Sequence, residues 1–200
     1  MPVSRSGRSG RRRGETQTRE AIAAAARSAF AEVGYDRATL RSIAAVAGVD
    51  PALIVHFYGS KEALFREVTA LPPELAAAMA DIATGPRSEV GRRYAQAVVA
   101  MLENPTTRPV VLARVRSASS HAEAATLVRQ QVERDLGLLT RSLTDDRPEI
   151  RAVLTGMQVV GLAFVRYVVQ VEPLASMAPS DLVDALAPIF QRLLVGPLAD

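Results

Sequence analysis

Residues 39–64 read TLRSIAAVAGVDPALIVHFYGSKEAL, and the punctuation of this stretch sets the local architecture. Thr39 is a good N-cap for a short helix that carries Ile43, Ala44 and Ala47 on one face, and Gly48 breaks it. Asp50 followed by Pro51 is a second start signal: a capping carboxylate, then a proline at the first helical position, where its missing N–H costs nothing. That helix runs to about Phe57 and Gly59 closes it. Ser60 caps the next, with Glu62 in its first turn and Leu64, Phe65 and Val68 on one side. Ala44, Gly48, Val49 and Ile54 leave little bulk where the first two helices cross, which is the helix-turn-helix arrangement. Short hairpins of this kind also occur as plain core packing, so the flanks have to decide.

Upstream, Ile22, Ala26, Ala29, Phe30 and Val33 follow the three-and-four spacing of one helix face over residues 16–33, and Gly34 ends it. Downstream, Pro72 and Pro73 interrupt the helix that Ser60 starts. Apolar periodicity then predicts helices over residues 89–103, 110–117, 121–143, 148–171 and 180–194, the last with a kink at Pro188. No strand pattern and no internal repeat occurs. The expected fold is all-α, with about nine helices.

Charge is distributed unevenly. Over the whole chain of 200 residues the net charge is +3, yet residues 1–61 hold ten basic and five acidic groups, leaving 14 basic and 16 acidic groups for the rest. The surplus belongs to the first third alone. Within it, residues 4–14 read SRSGRSGRRRG, with nothing apolar to offset the entropy of ordering, so residues 1–14 are expected to form a disordered basic arm. Such an arm serves either as a solubilising tail or as a contact to phosphates or the minor groove, through Arg11, Arg12 and Arg13.

Several classes of chemistry are excluded. No cysteine is present, which removes disulfides, thiolate zinc sites, iron–sulfur clusters and cysteine nucleophiles. The only lysine, Lys61, follows Gly59 and Ser60 and belongs to no phosphate loop, and neither HExxH nor GxSxG occurs. The H-x-E of His121 and Glu123 has no cysteine to complete a deaminase zinc site, and His121 reads as a residue at a helix N-terminus. No enzyme, cofactor or metal site is expected. The longest uncharged run, residues 152–165, is shorter than the roughly 20 residues of a bilayer span, and the basic N-terminus lacks a signal peptide's apolar core. A cytoplasmic protein without a membrane span is expected.

Phe30, Gly34, Thr39, Ile43, Ala44, Ala47, Gly48, Val49, Ile54, the run His56, Phe57, Tyr58 and the run from Ser60 to Leu64 together resemble the DNA-binding domain of the TetR family of bacterial transcription regulators. Residues 49–53, Arg166 to Val168, Glu172 to Ala175, Ala187, Pro188, Gln191 and Arg192 look like one actinobacterial subgroup of it. The resemblance spans nearly the whole chain.

It implies a helix-turn-helix domain over residues 15–61 and an effector-binding and dimerisation domain over residues 62–200. The second short helix would be the recognition helix, presenting Pro51, Ala52, Leu53, Val55, His56, Phe57 and Tyr58 to double-stranded DNA, with Arg41 from the helix before it. Thr39 would cap that preceding helix against a phosphate, and Lys61 would hold another phosphate at a helix N-terminus. Many family members carry tyrosine where this chain has Val55, so a hydroxyl-to-phosphate bond is missing there. Arg41 and His56 remain as the main readers of base edges.

Helices over about residues 148–171 and 180–194 are richer in apolar residues than one face of a monomer needs, which suits a two-fold four-helix bundle. The middle helices would surround a cavity for a small, largely apolar effector, with Tyr94, Met101, Leu102, Val115, Met157 and Phe164 as candidate lining. The function implied is a repressor that binds a palindromic operator as a homodimer and is released by the effector. The alternative is a basic DNA-binding protein with no effector.

Overall fold

Local capping signals are realised one by one in the first four helices of the structure, a computed structural model that describes residues 8–70 and 72–198. Helix α1 spans Arg8–Arg37, α2 Leu40–Ala47, α3 Pro51–Tyr58 and α4 Lys61–Val68. The Thr39 hydroxyl accepts from the Ser42 N–H at 3.0 Å while the Ser42 hydroxyl accepts from the Thr39 N–H at 3.1 Å, a reciprocal box that starts α2. Gly48 ends α2 in the left-handed region at φ 67°, which is why glycine stands there. The Asp50 carboxylate accepts from Ala52 N–H at 2.8 Å to start α3, and α2 and α3 meet at a bend of 104°. The Ser60 hydroxyl accepts from Ala63 N–H at 3.1 Å to start α4.

Helix α1 departs from expectation at both ends. It runs past Gly34, which sits at φ 76° as a kink, and reaches Arg37. It also begins at Arg8, so the backbone of residues 8–14 is helical where composition alone points to a disordered arm. Arginine propagates a helix well once packed residues further along have nucleated it. Residues 1–7 lie outside the described residues, as do the side chains of Arg11, Arg12 and Arg13.

Six more helices follow: α5 Pro73–Thr84, α6 Val90–Glu103, α7 Arg108–Ser120, α8 Ala122–Leu143, α9 Pro148–Phe164 and α10 Pro179–Val195. Among the described residues the fold is therefore all-α, with ten helices and no strand. The helix missing from the expected set is α5. Helix α4 already ends at Val68 with Thr69 as its C-cap, ahead of both prolines, and Pro73 instead occupies the first turn of α5, where a proline is favoured.

Two apolar cores form. Ile22, Phe30, Ile43, Ile54, Leu64 and Phe65 are fully buried in the first, with Phe30 and Phe65 edge to face at 5.1 Å. Helix α4 contributes Leu64, Phe65 and Val68 to this core, so the packed unit runs beyond residue 61, and Ala113 of α7 and Ala124 of α8 close it. The second core joins α6, α8, α9 and α10 around Tyr94 and Phe190, whose rings lie 4.8 Å apart. There α6 and α10 approach so closely that a Cβ on Gly91 would fall 2.3 Å from the backbone nitrogen of Gln191.

Helix α9 continues through a π-turn over Val165–Val169. The combined helix Pro148–Val169, 22 residues long, is long and apolar enough by composition to cross a membrane, contrary to what the uncharged run implied. The two arginines that bound that run are turned inward. Arg151 donates to the Asp146 carboxylate and to the carbonyls of Asp146, Leu193 and Gly196. Arg166 donates to Glu103 Oε1 at 2.8 Å and to the carbonyls of Leu174 and Met177. With both charges spent on protein, the outward face is left apolar: Ile150, Val153, Met157, Val160 and Phe164 are exposed at alternating spacings of three and four.

Candidate nucleic-acid interface and interior cavity

Helix α3 buries Ile54 and Tyr58 and turns the rest of its surface outward, because the two lie four residues apart on one face. Pro51, Ala52, Leu53, Val55 and His56 are exposed, as is Arg41 on α2, and Phe57 is half-buried. Val46 on α2 is 75% exposed, an apolar residue that periodicity alone did not single out. The exposed surface is poor in hydrogen-bond donors, with Arg41 and His56 the polar exceptions.

Tyr58 is not on that surface. It is 7% exposed and its hydroxyl donates to the Arg19 carbonyl at 2.9 Å, so it holds α3 to α1. The reason is rotational: Tyr58 lies one turn from buried Ile54 and must share its face. Thr39 is exposed, but its hydroxyl already serves the capping box with Ser42.

Lys61 sits at the start of α4 with its Nζ 4.3 Å from the centroid of the Tyr35 ring. Burial draws its ammonium below the ordinary lysine value, with Asp36 and Glu62 opposing. The Tyr35 hydroxyl donates to Glu62 Oε1 at 2.9 Å. Hydrogen bonds from Ser60, from its own backbone and from Tyr35 hold the Glu62 carboxyl below its ordinary range. On the far side of Tyr35 the His121 ring stacks at 5.0 Å, with Nδ1 3.1 Å from Asp36 Oδ1. The end of α1 is thereby joined to the junction of α7 and α8.

A cavity of about 160 Å³ lies between α6, α7, α8 and α9. Tyr94, Met101 and Val115 line it, together with Val98, Val111, Ala118, Val128, Val132, Leu136, Gly156, Val159 and Val160. The other three candidates lie elsewhere. Leu102 is fully buried in the core, while Met157 and Phe164 are 56% and 45% exposed on the outer face of α9. Gly156, Val159 and Val160 are the α9 residues that reach the cavity, Val160 from the edge of the outer face, and Met157, about 100° further around the helix from Gly156, points away.

Two charged residues complete the lining, Arg114 and Asp135. Arg114 Nε donates to the Thr69 carbonyl at 2.7 Å, at the C-cap of α4, and Nη2 donates to Asp135 Oδ2 at 3.3 Å. Burial lowers the guanidinium from its ordinary value and Asp135 opposes the shift. From α8, Gln131 donates to the Arg66 carbonyl at 3.1 Å and shares hydrogen bonds with Thr69 Oγ1. Arg116 of α7 donates to the carbonyls of Ala31 and Glu32 at 2.6 and 2.9 Å. These polar residues carry no periodic signature, and sequence reading missed all of them.

Comparison with known proteins places these features in a family. Residues 22–68 match the model described as bacterial regulatory proteins of the tetR family, and residues 88–194 match the tetracyclin repressor-like C-terminal domain. A TetR-family regulator from Streptomyces coelicolor A3 of known crystal structure is 33% identical, over 96% of this chain and 99% of that one, with a TM-score of 0.59. The HTH-type transcriptional repressor AcnR of Corynebacterium glutamicum is 39% identical over 90 residues, covering 45% of this chain and 43% of that protein. The fold is shared with NalD, the secondary repressor of the MexAB-OprM multidrug efflux pump in Pseudomonas aeruginosa, at 22% identity and a TM-score of 0.68, over 92% of this chain and 98% of that one.

Proposed function

The chain belongs to the TetR family, whose members are DNA-binding transcription regulators and not enzymes, and from that premise we propose that it is a repressor: a homodimer that binds a palindromic operator and is released by a small, largely apolar effector. The observation that carries this reading is the pairing of an exposed recognition surface on α3 with a cavity whose wall residue Arg114 holds the C-terminal end of α4, where Gln131 of α8 also bonds. A molecule entering the cavity shifts α7 and α8, and α4 with them, changing the separation of two α3 helices. Coupling of this kind is typically about 1–3 kcal/mol, a several-fold to 100-fold change in DNA affinity.

In this reading Arg41, Pro51, Ala52, Leu53, Val55 and His56 face the groove. Thr39, Lys61 and the arm with Arg11, Arg12 and Arg13 lie along the phosphates. The second copy docks on the outer stripe of α9, with exposed Ile189 of α10 beside it. Pairing sets two α3 helices against half-sites about 34–36 Å apart. The protein works in the cytoplasm, where the operator is.

The test is selection of bound fragments from genomic DNA, followed by anisotropy titrations on the enriched site and a scrambled copy. A palindromic site bound at least tenfold more tightly than its scramble is the expected result. Equal affinity for both would overturn the repressor reading in favour of a basic DNA-coating protein.

A further inference from the structure

The cavity is apolar except at one corner, where Arg114 and Asp135 meet. We infer that its occupant is a small organic monoanion: a carboxylate on an apolar body of about one aromatic ring, with the carboxylate received by Arg114. This rests on reading the cavity as the effector site and specifies the ligand for it.

Unused donors give the sign. The Arg114 side chain is 12% exposed, and its 3.3 Å bond to Asp135 is long for a charge-assisted pair. Nη1 donates to no acceptor among the described residues, so the fork facing the cavity keeps N–H groups to spare. The other oxygen of Asp135, Oδ1, is 3.7 Å from Arg134 Nε. That second guanidinium is 61% exposed and lies outside the lining, but it draws on the same carboxylate, which is left less available to Arg114. An entering carboxylate meets unused N–H donors on Arg114, whereas an ammonium has no acceptor to use there.

Volume gives the size. An apolar cavity of roughly 150 Å³ takes up benzene, and this one measures about 160 Å³. The position of Arg114 gives the consequence. The group that would receive the carboxylate already binds the Thr69 carbonyl at the end of α4, so a carboxylate on its unused N–H groups pulls the side chain in competition with its bonds to α4 and Asp135. That competition is the differential contact a ligand needs in order to shift a two-state equilibrium.

Calorimetry of the full chain with benzoate, benzamide and benzylamine as probes tests the assignment. Benzoate binds about tenfold more tightly than either analogue, the size of one hydrogen-bonded charge pair. Arg114→Met removes that preference and leaves benzamide binding in place. Asp135→Asn frees the guanidinium and tightens benzoate, and it carries the test alone if Arg114→Met does not fold. Benzamide or benzylamine binding as well as benzoate, or Asp135→Asn leaving benzoate binding unchanged or weaker, overturns the carboxylate assignment while the cavity keeps its role as a small-molecule site. Failure of all three probes to bind overturns both.

Discussion

The Lys61 ammonium lies over the Tyr35 ring, 4.3 Å from its centroid, so the chain's single lysine is held in place by the residue that also stacks on His121. A cation fixed at a helix N-terminus beside the recognition helix is preorganised for one phosphate. Lys61→Ala should weaken binding to operator and random DNA alike and reduce the slope of log K against log salt by about 0.9. Anisotropy titrations across a salt series measure this, and an unchanged slope would show that Lys61 serves only Tyr35.

Arg41 is an exposed cation on α2 beside a recognition face made mostly of apolar side chains. Arg41→Ala is expected to cost about 1–3 kcal/mol on the operator and much less on random DNA, relaxing specificity. Equal losses on both would assign Arg41 to a phosphate instead.

Tyr58 acts through its hydroxyl on the Arg19 carbonyl. Tyr58→Phe leaves the ring in the core and removes one hydrogen bond, so stability falls by about 1 kcal/mol with operator affinity unchanged. Thermal melts and anisotropy together check the two halves of that statement.

The stripe of Ile150, Val153, Met157, Val160 and Phe164 has the spacing of a helix seam. Met157→Asp places a carboxylate at its centre and should raise the dimer dissociation constant by roughly 100-fold or more, because pairing would desolvate that charge. Sedimentation velocity reads this directly. Far-UV dichroism should not change, since Met157 is exposed in the single chain. A variant that stays dimeric would move the interface elsewhere.

Glu103 ties α6 to the π-turn after α9, its carboxylate accepting hydrogen bonds from Arg166 and Tyr167 at 2.8 Å each. Burial alone would raise its carboxyl, but bonds from Tyr167 and Arg166 outweigh that and hold it below its ordinary value. A depressed folded-state value contributes stability that is present above the unfolded value, about 4.3, and is lost as pH falls through the folded one. Melting temperature should therefore decline on acidification in the wild type and decline less in Glu103→Gln.

The helix-turn-helix was legible because its signals are local: Thr39, Asp50 and Ser60 cap within three residues of themselves, and Gly48 breaks by its own backbone angle. Periodicity also places residues on a common face, yet it does not say whether that face looks inward. Met157 and Phe164 share a stripe, as their spacing implies, but the stripe is the outer one. Tyr58, Arg114 and Gln131 depend on partners 39, 45 and 65 residues away, and a single sequence holds no record of those pairings. Pro73 misled because a proline that begins a helix looks, in sequence, like one that breaks it.

Apart from the Gln131–Thr69 side-chain pair, the bonds that Arg114, Arg116 and Gln131 send toward the helix-turn-helix reach main-chain oxygens of Thr69, Ala31, Glu32 and Arg66. A carbonyl is present whatever side chain its residue carries. Substitutions on the outward faces of α2 and α3 can therefore change which DNA is read without loosening this grip, and residues facing the cavity can change without touching the reading surface. Operator preference and ligand response are free to diverge independently in descendants of this chain.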